Sequence, residues 1–290
     1  MNIIESGKTL GARVEGLDLS VPLTDAQFVQ LEQALGQYGV LSYPQQKLTS
    51  IQLKQFSERF GKLEVNVANM YQEAGLPEVM ILSNKVENGK PLGLSDAGQD
   101  WHTDMSYSKM IAFTNVLYGI EIPHRDGEPL GNTEFCNMHA AYDDLPESLK
   151  TQLAGMTITH NFEKFWEKMR LEKGQRPPLT DAQRAAKPPV SHPIFMTHPI
   201  TGKKVLYANP GYSMRINELP EAESNEILEF LFKHQLQAVE WLKVGVRLGR
   251  CFVDMLGQCR NSATTRLKPA QNATRRGIHT CRSMAVHGLA

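Results

Sequence analysis

An α+β architecture is the fold class this sequence predicts: short strands gathered into a β-sandwich or barrel, with helices flanking them early and late. Three observations predict it. An amphipathic stretch near the N-terminus carries helical period and helix punctuation. A strongly apolar, β-prone run, Phe113 to Ile122, sits in the middle of the chain. A second amphipathic helix comes late, after several short strand-like runs.

The elements follow in order. Thr24 to Gly36 reads as a helix: Thr24 or Asp25 caps it, Phe28, Leu31 and Leu35 form its apolar stripe, and Gly36 ends it. Val40-Leu41-Ser42-Tyr43 reads as a strand closed by Pro44. Thr49 or Ser50 opens a second helix through Phe56 and Phe60 to Gly61, and Val79-Met80-Ile81-Leu82 is a strand. Asn84 to Gln99 is polar and Gly-rich and reads as a loop. Leu145 to Leu153 reads as a helix introduced by Asp143-Asp144. Glu172 to Pro189 is charged and Pro-rich, which predicts an insertion or lid rather than core. Val205-Leu206-Tyr207 is a strand, and Glu221 to His234 a helix with Ile227, Leu228, Leu231 and Phe232 inward.

A chain of 290 residues fits one large domain or two small ones, and 41% apolar residues suffice for a sizeable core. Lys+Arg and Asp+Glu balance at 31 each, so the basic excess of a nucleic-acid binder is missing. No apolar run reaches membrane-spanning length. Met1-Asn2-Ile3-Ile4-Glu5 lacks the basic and apolar regions of a signal peptide, so a cytoplasmic location is expected. Cys136, Cys251, Cys259 and Cys281 show no CxxC spacing and read as thiols of a reducing compartment.

The chemistry-bearing motif is Asp100-Trp101-His102-Thr103-Asp104. In an extended segment, residues i and i+2 project to one face. An imidazole and a carboxylate then converge as two cis ligands of a six-coordinate metal. With one distant His they would form the 2-His-1-carboxylate facial triad, which leaves positions of Fe(II) open for a co-substrate and O2. The bland alternative is a hydrogen-bonded surface pair.

Five ordered landmarks extend this motif: Gly11-Ala12-Arg13-Val14-Glu15-Gly16-Leu17-Asp18-Leu19, Arg59-Phe60-Gly61, Trp101-His102-Thr103-Asp104, Gly131-Asn132-Thr133-Glu134-Phe135 and His198-Pro199-Ile200-Thr201-Gly202-Lys203. With them the chain, from about Gly11 to about Gln237, resembles the taurine dioxygenase-like (TauD/TfdA) family of Fe(II)- and 2-oxoglutarate-dependent oxygenases. The resemblance implies a double-stranded β-helix, or jelly roll, with helices packed outside. It implies a dioxygenase domain over residues 1–237 that uses Fe(II), 2-oxoglutarate and O2 to hydroxylate a small, anionic substrate. His102 and Asp104 match the first two iron ligands. Thr133 matches the threonine whose hydroxyl contacts a 2-oxoglutarate carboxylate, the other reading being an ordinary strand threonine. Asn66 stands where the taurine-oxidising member has a sulfonate-binding His, and Gly98 where it has an Asn; both departures argue against taurine. Met105, Trp166 and Tyr212 are candidates for the pocket wall, with simple core filling as the alternative. His160 reads as structural or as a supporting group near the metal, and His198 as a loop-fixing residue. His192 shares His198's setting before Pro; His124 and His139 carry no motif. Association into a homo-oligomer is left open.

Residues 238–290 do not follow the family. The expected strand Trp-Asp-Asn-x-x-Thr-x-His, which carries the third iron ligand, and the Arg-Arg block after it are not cleanly present. Apart from Cys251-Phe252-Val253, the stretch from Arg247 to Arg282 shows little strand pattern. One choice of codons for Leu256 to Ser262, read one base out of register, gives Trp-Asp-Asn-Ala-Ala-Thr-Gln. The tail is therefore read as out of frame with the family, a divergent but genuine C-terminus being the alternative. Arg276 is the best candidate clamp for 2-oxoglutarate, and His279 and His287 are the histidines left to complete the metal site. Irregular strand pairing after Gln237 and weak Fe(II) binding are expected. The rival functions are a catalytically inactive jelly-roll protein that binds small molecules and, further off, a metal-dependent hydrolase using the same pair.

Overall fold

The protein is described from a computed structural model, over residues 1–65, 71–95, 101–126, 128–129, 133–173, 176–237, 242–244, 251–254, 258–261 and 280–287. Its strands are β1 (Asn2–Glu5), β2 (Ala12–Glu15), β3 (Val40–Tyr43), β4 (Lys62–Leu63), β5 (Gln72–Glu73), β6 (Leu76–Ser83), β7 (Val86–Glu87), β8 (Lys90–Pro91), β9 (Ala112–Glu121), β10 (His124–Arg125) and β11 (Glu128–Pro129). They continue with β12 (Thr133–Cys136), β13 (Thr157–His160), β14 (Val190–Pro193), β15 (Phe195–Thr197), β16 (Lys204–Leu206), β17 (Ser213–Ile216), β18 (Leu242–Val244), β19 (Cys251–Asp254), β20 (Gln258–Asn261) and β21 (Thr280–His287). The helices are α1 (Asp25–Tyr38), α2 (Ser50–Glu58), α3 (Met138–Asp143), α4 (Glu147–Leu153), α5 (Phe162–Lys173), α6 (Asp181–Ala186) and α7 (Glu221–Gln237).

Local chemistry sets the early helices. Thr24 and Gln27 form a capping box at the start of α1, and Thr49 and Gln52 form another at α2. Each box satisfies two orphan backbone donors reciprocally. The end of α1 differs from expectation. The helix runs past Gly36 and stops at Gly39, whose φ of 69° suits a left-handed cap. Gly36 instead serves packing. A Cβ there would sit 2.6 Å from Ile200 Cγ2, so the glycine lets the Ile200 turn press against the helix. The Arg59-Phe60-Gly61 landmark ties α2 to α1. Arg59 donates to the Leu23 carbonyl and to Asp25 and lies over the Phe28 ring, which itself packs edge-on to Phe60.

The nine-stranded main sheet has the order β1-β2-β3-β19-β9-β21-β6-β5, with β4 paired to β21. β9 is its apolar spine; Ala112, Thr114, Val116 and Tyr118 are buried at alternate positions. Two three-stranded sheets, β18-β12-β20 and β14-β13-β17, accompany it. One apolar core lies between α1, α2 and the main sheet (Leu31, Leu35, Tyr43, Leu53, Phe56, Val116), and a second gathers Leu153, Ile158, Ile194, Leu206, Ile216 and Leu231.

Three expectations need correction. Asp143-Asp144 closes α3 rather than opening α4, whose N-terminal flank is Pro146. The stretch Glu172 to Pro189 is not detached: it contains the capped helix α6, and Arg176 and Leu179 are buried. The tail does form strands. β18, β19, β20 and β21 pass alternately between the small β12 sheet and the main sheet. β21 pairs with β9 from Thr280↔Glu121 to His287↔Ala112, with two register shifts. Antiparallel ladders are made by backbone groups and need no apolar period from the inserted strand, which is why Gln258–Asn261 and Thr280–His287 looked featureless. The out-of-frame reading of the tail finds no support in this pairing.

Candidate active site

His102 and Asp104 are brought together between Trp101, which is buried, and a tight turn at residues 104–107. His102 Nε2 lies 3.3 Å from Asp104 Oδ1, with the two side chains 12% and 38% exposed. Met105 follows with φ 58°, a left-handed conformation uncommon for a side chain of this kind. The turn is stapled from behind. Asn209, buried, donates through Nδ2 to Ser106 Oγ at 3.1 Å and accepts from the Tyr212 backbone N–H at 3.0 Å. His192 Nε2 bonds the Ser108 carbonyl at 3.0 Å, and Lys187 reaches both Ser108 Oγ and Glu64. Loss of solvation on burial pushes the Asp104 carboxyl up, but the charge and hydrogen bond of His102 outweigh it and hold the carboxyl below its usual range.

A metal fits this pair. Cis ligands bonded at about 2.1 Å to an octahedral ion stand about 3 Å apart, close to the observed separation. Imidazole and carboxylate are also the donor types of an Fe(II) facial triad. Among the described residues no cluster of three or more His, Cys, Asp or Glu side chains is poised to hold a metal. His279 and Arg276 lie outside the described residues; His287 is described only by its strand position, paired with Ala112 and Lys62.

Beside the pair stands an aromatic box. Met105, Tyr107, Phe162, Trp166 and Tyr212 are buried in one cluster with Ala112 and Leu179, and Phe165 packs against it. Tyr107 packs at a tilt against both Phe162 and Tyr212, ring centroids 4.8 Å apart, and its hydroxyl donates to Met105 Sδ. The three candidate wall residues Met105, Trp166 and Tyr212 thus meet in one place. Gly211 joins box and pair: a Cβ there would lie 3.6 Å from the Phe165 ring and 3.9 Å from His102 Cβ. Thr133 is buried at the start of β12, opposite Val244 and Asn261. Asn66 and Gly98 lie outside the described residues.

His160, His192 and Tyr207 form a buried group with ring centroids 5.5–5.8 Å apart. Both ring nitrogens of His160 and the Tyr207 hydroxyl are buried without a hydrogen-bond partner among the described residues. Burial, then the charges of His192 and Lys164, push the His160 pKa down to about 3. Burial pushes the Tyr207 phenol up, and the charge of Asp104 adds to it. His198 fixes its turn as expected: its Nδ1 accepts from the Ile200 and Thr201 N–H groups, and burial followed by the neighbouring His139 lowers its pKa to about 4.

Residues 3–243 match the family described as Taurine catabolism dioxygenase TauD, TfdA family. The chain belongs to the TauD/TfdA family. It is 31% identical over 237 residues to a pentalenolactone F synthase of Streptomyces avermitilis, covering 78% of this chain and 76% of that one. To an alpha-ketoglutarate-dependent 2,4-dichlorophenoxyacetate dioxygenase of Burkholderia sp. (strain RASC) it is 32% identical over 236 residues, again 78% and 76% of the two chains. The fold matches the crystal structure of AAD-2 in complex with Mn(II) and N-oxalylglycine with a TM-score of 0.79 at 24% identity, over 100% of this chain and 99% of that one. As a TauD/TfdA member the protein is an oxidoreductase, an oxygenase that depends on Fe(II) and 2-oxoglutarate and acts on a small molecule with O2.

The sequence reading missed Tyr107, Phe162, Phe165, Asn209 and Arg176. Tyr107, three residues beyond Asp104, had a positional signal. Arg176 had none, being one cation in a charged stretch.

Proposed function

We propose that this chain is an Fe(II)- and 2-oxoglutarate-dependent dioxygenase that hydroxylates a small anionic substrate other than taurine, with His102 and Asp104 as two protein ligands of the iron. The observation that carries the reading is the 3.3 Å approach of an imidazole nitrogen and a carboxylate oxygen beside an aromatic box. Relatives named for 2,4-dichlorophenoxyacetate and for sulfonates support an anionic substrate. Bound iron with 2-oxoglutarate supplies the activation of O2, and the protein's part is to bind and orient.

His102 and Asp104 hold the metal on one face. Thr133 offers a hydroxyl to a 2-oxoglutarate carboxylate and Arg276 a bidentate clamp. Met105, Trp166 and Tyr212 form the wall against the substrate body, and Asn66 offers it a neutral hydrogen bond. Residues 1–237 carry the dioxygenase domain, a jelly roll that strands from 238–290 complete. The partners are a small-molecule substrate and O2, with no nucleic acid or membrane involved, and the cytoplasm is the proposed compartment. Among the described residues no helix is long and apolar enough to cross a membrane.

The test is succinate formation by the full chain with Fe(II) and 2-oxoglutarate over a panel of taurine, other sulfonates, sulfate esters and aryloxy acids. At least one anion of the panel should stimulate succinate release well beyond taurine. Stimulation by none, or by taurine as strongly as by the best, would refute the reading.

A further inference from the structure

The turn after the metal pair is closed by Ser108, whose backbone N–H donates to the Met105 carbonyl at 2.9 Å. Met105, the neighbour of Asp104, opens that turn at φ 58°. A left-handed conformation is costly for a residue with a side chain, and it persists where the surroundings over-determine it. Ser108 is buried and gripped at two points. His192 Nε2 bonds its carbonyl at 3.0 Å, and Lys187 Nζ donates to its Oγ at 3.0 Å. Lys187 is the residue that caps the C-terminal end of α6. An ammonium has three donors, and this one has two further neighbours. They are Glu64 Oε1, at 2.9 Å, and the Tyr107 ring, whose centroid lies 5.8 Å away. The Lys187 and Glu64 side chains are only 15% and 21% exposed. Both charges give up much of their hydration to meet there, so the pair adds little net stability. Its consequence is positional. Ser108 and Glu64 are 79 and 123 residues from Lys187 in sequence, yet one ammonium joins them. Arg184, on the same helix, pairs instead with Glu163 and Asp181.

We propose that Lys187 is a positioning residue for the metal site: paired with Glu64, it holds Ser108 so that the turn from Met105 to Ser108 keeps its left-handed start and Asp104 stays aimed beside His102. The proposal rests on the reading of His102 and Asp104 as iron ligands. It gives the stretch Glu172 to Pro189 a task in the site, which is to dock one ammonium against the metal turn.

The experiment is equilibrium dialysis of Fe(II), without O2, against the full chain as wild type, Lys187→Met, Ser108→Ala, the double variant of these two, and Arg184→Gln, each with its thermal melt. Lys187→Met and Ser108→Ala should each weaken Fe(II) binding about 10-fold, the lower end of what loss of an orienting group costs. The double variant should also lose about 10-fold rather than about 100-fold, because both changes break the same contact. Arg184→Gln, which removes an ion pair of α6 away from the turn, should bind Fe(II) as the wild type does. Lys187→Met with a lower melting temperature but wild-type Fe(II) affinity would mark a purely structural ion pair and overturn the proposal. Multiplied losses in the double variant, or an equal loss in Arg184→Gln, would overturn it too. If Lys187→Met is unfolded, the contrast between Ser108→Ala and Arg184→Gln decides alone. A wild type that binds no Fe(II) would overturn the iron reading together with this proposal, whereas equal affinity in the wild type and every variant would overturn this proposal alone.

Discussion

Asn209 holds the turn that follows the metal pair: its Nδ2 donates to Ser106 Oγ at 3.1 Å while its Oδ1 accepts the Tyr212 N–H at 3.0 Å. One buried amide thus joins the loop of His102 and Asp104 to the aromatic box. Asn209→Ala would take a partner from each of two buried polar groups, a cost of about 1–3 kcal/mol for each. The melting temperature should fall by several degrees, roughly 2–4 °C per kcal/mol in a chain of this size. Fe(II) affinity should fall about 10–100-fold, as for other groups that orient ligands. Thermal melts and equilibrium dialysis check both, and an unchanged metal affinity would remove the positioning role.

The buried histidines predict acid sensitivity. His160 and His198 have folded pKa values lowered to about 3 and about 4. Their unfolded values lie near 6.5, so below about pH 6.5 the unfolded chain binds more protons than the folded one. Stability is therefore full above that pH and declines as pH falls towards 4, by up to roughly 1.4 kcal/mol per pH unit for each residue. Urea midpoints from pH 7.5 to 4.5 should drop accordingly, and His160→Phe should show a shallower slope. Midpoints flat between pH 7 and 5 would contradict this.

Gly36→Ala should destabilise by about 1–3 kcal/mol, because the new methyl would overlap Ile200 and not because a turn is strained. The double variant with Ile200→Ala should show less than the sum of the two single losses in chemical unfolding. Simple additivity would mean that the two residues do not meet.

How far the fold could be read depended on how local its cause was. Thr24 with Gln27 and Thr49 with Gln52 are capping boxes within four residues, so both helix starts were legible. His102 and Asp104 were legible because a two-residue spacing brings them together within one extended segment and turn. Met105, Trp166 and Tyr212 were candidates whose meeting depended on tertiary packing. Gly36 looked like a helix end because its partner, Ile200, is distant in sequence. Arg176 was invisible for the same reason: nothing near it announces the faces of Phe165 and Trp166. β20 and β21 were missed because their pairing comes from the backbone and from partners at β12, β6 and β9.

The register of β21 makes His287 the histidine to test for the third metal position. His287 pairs with Ala112, which packs in the cluster of Met105 and Tyr107. His287→Ala should therefore weaken Fe(II) binding by more than about 10-fold. Unchanged Fe(II) affinity of His287→Ala in equilibrium dialysis would exclude His287 as the ligand.

The most direct test of the account is the Fe(II) dissociation constant of the full chain measured without O2, with and without 2-oxoglutarate, for the wild type, His102→Ala and Asp104→Ala. One Fe(II) should bind saturably per wild-type chain, more tightly with 2-oxoglutarate, and each variant should lose more than about 100-fold, beyond what loss of a merely orienting group costs. Fe(II) affinity in His102→Ala and Asp104→Ala equal to that of the wild type would contradict it.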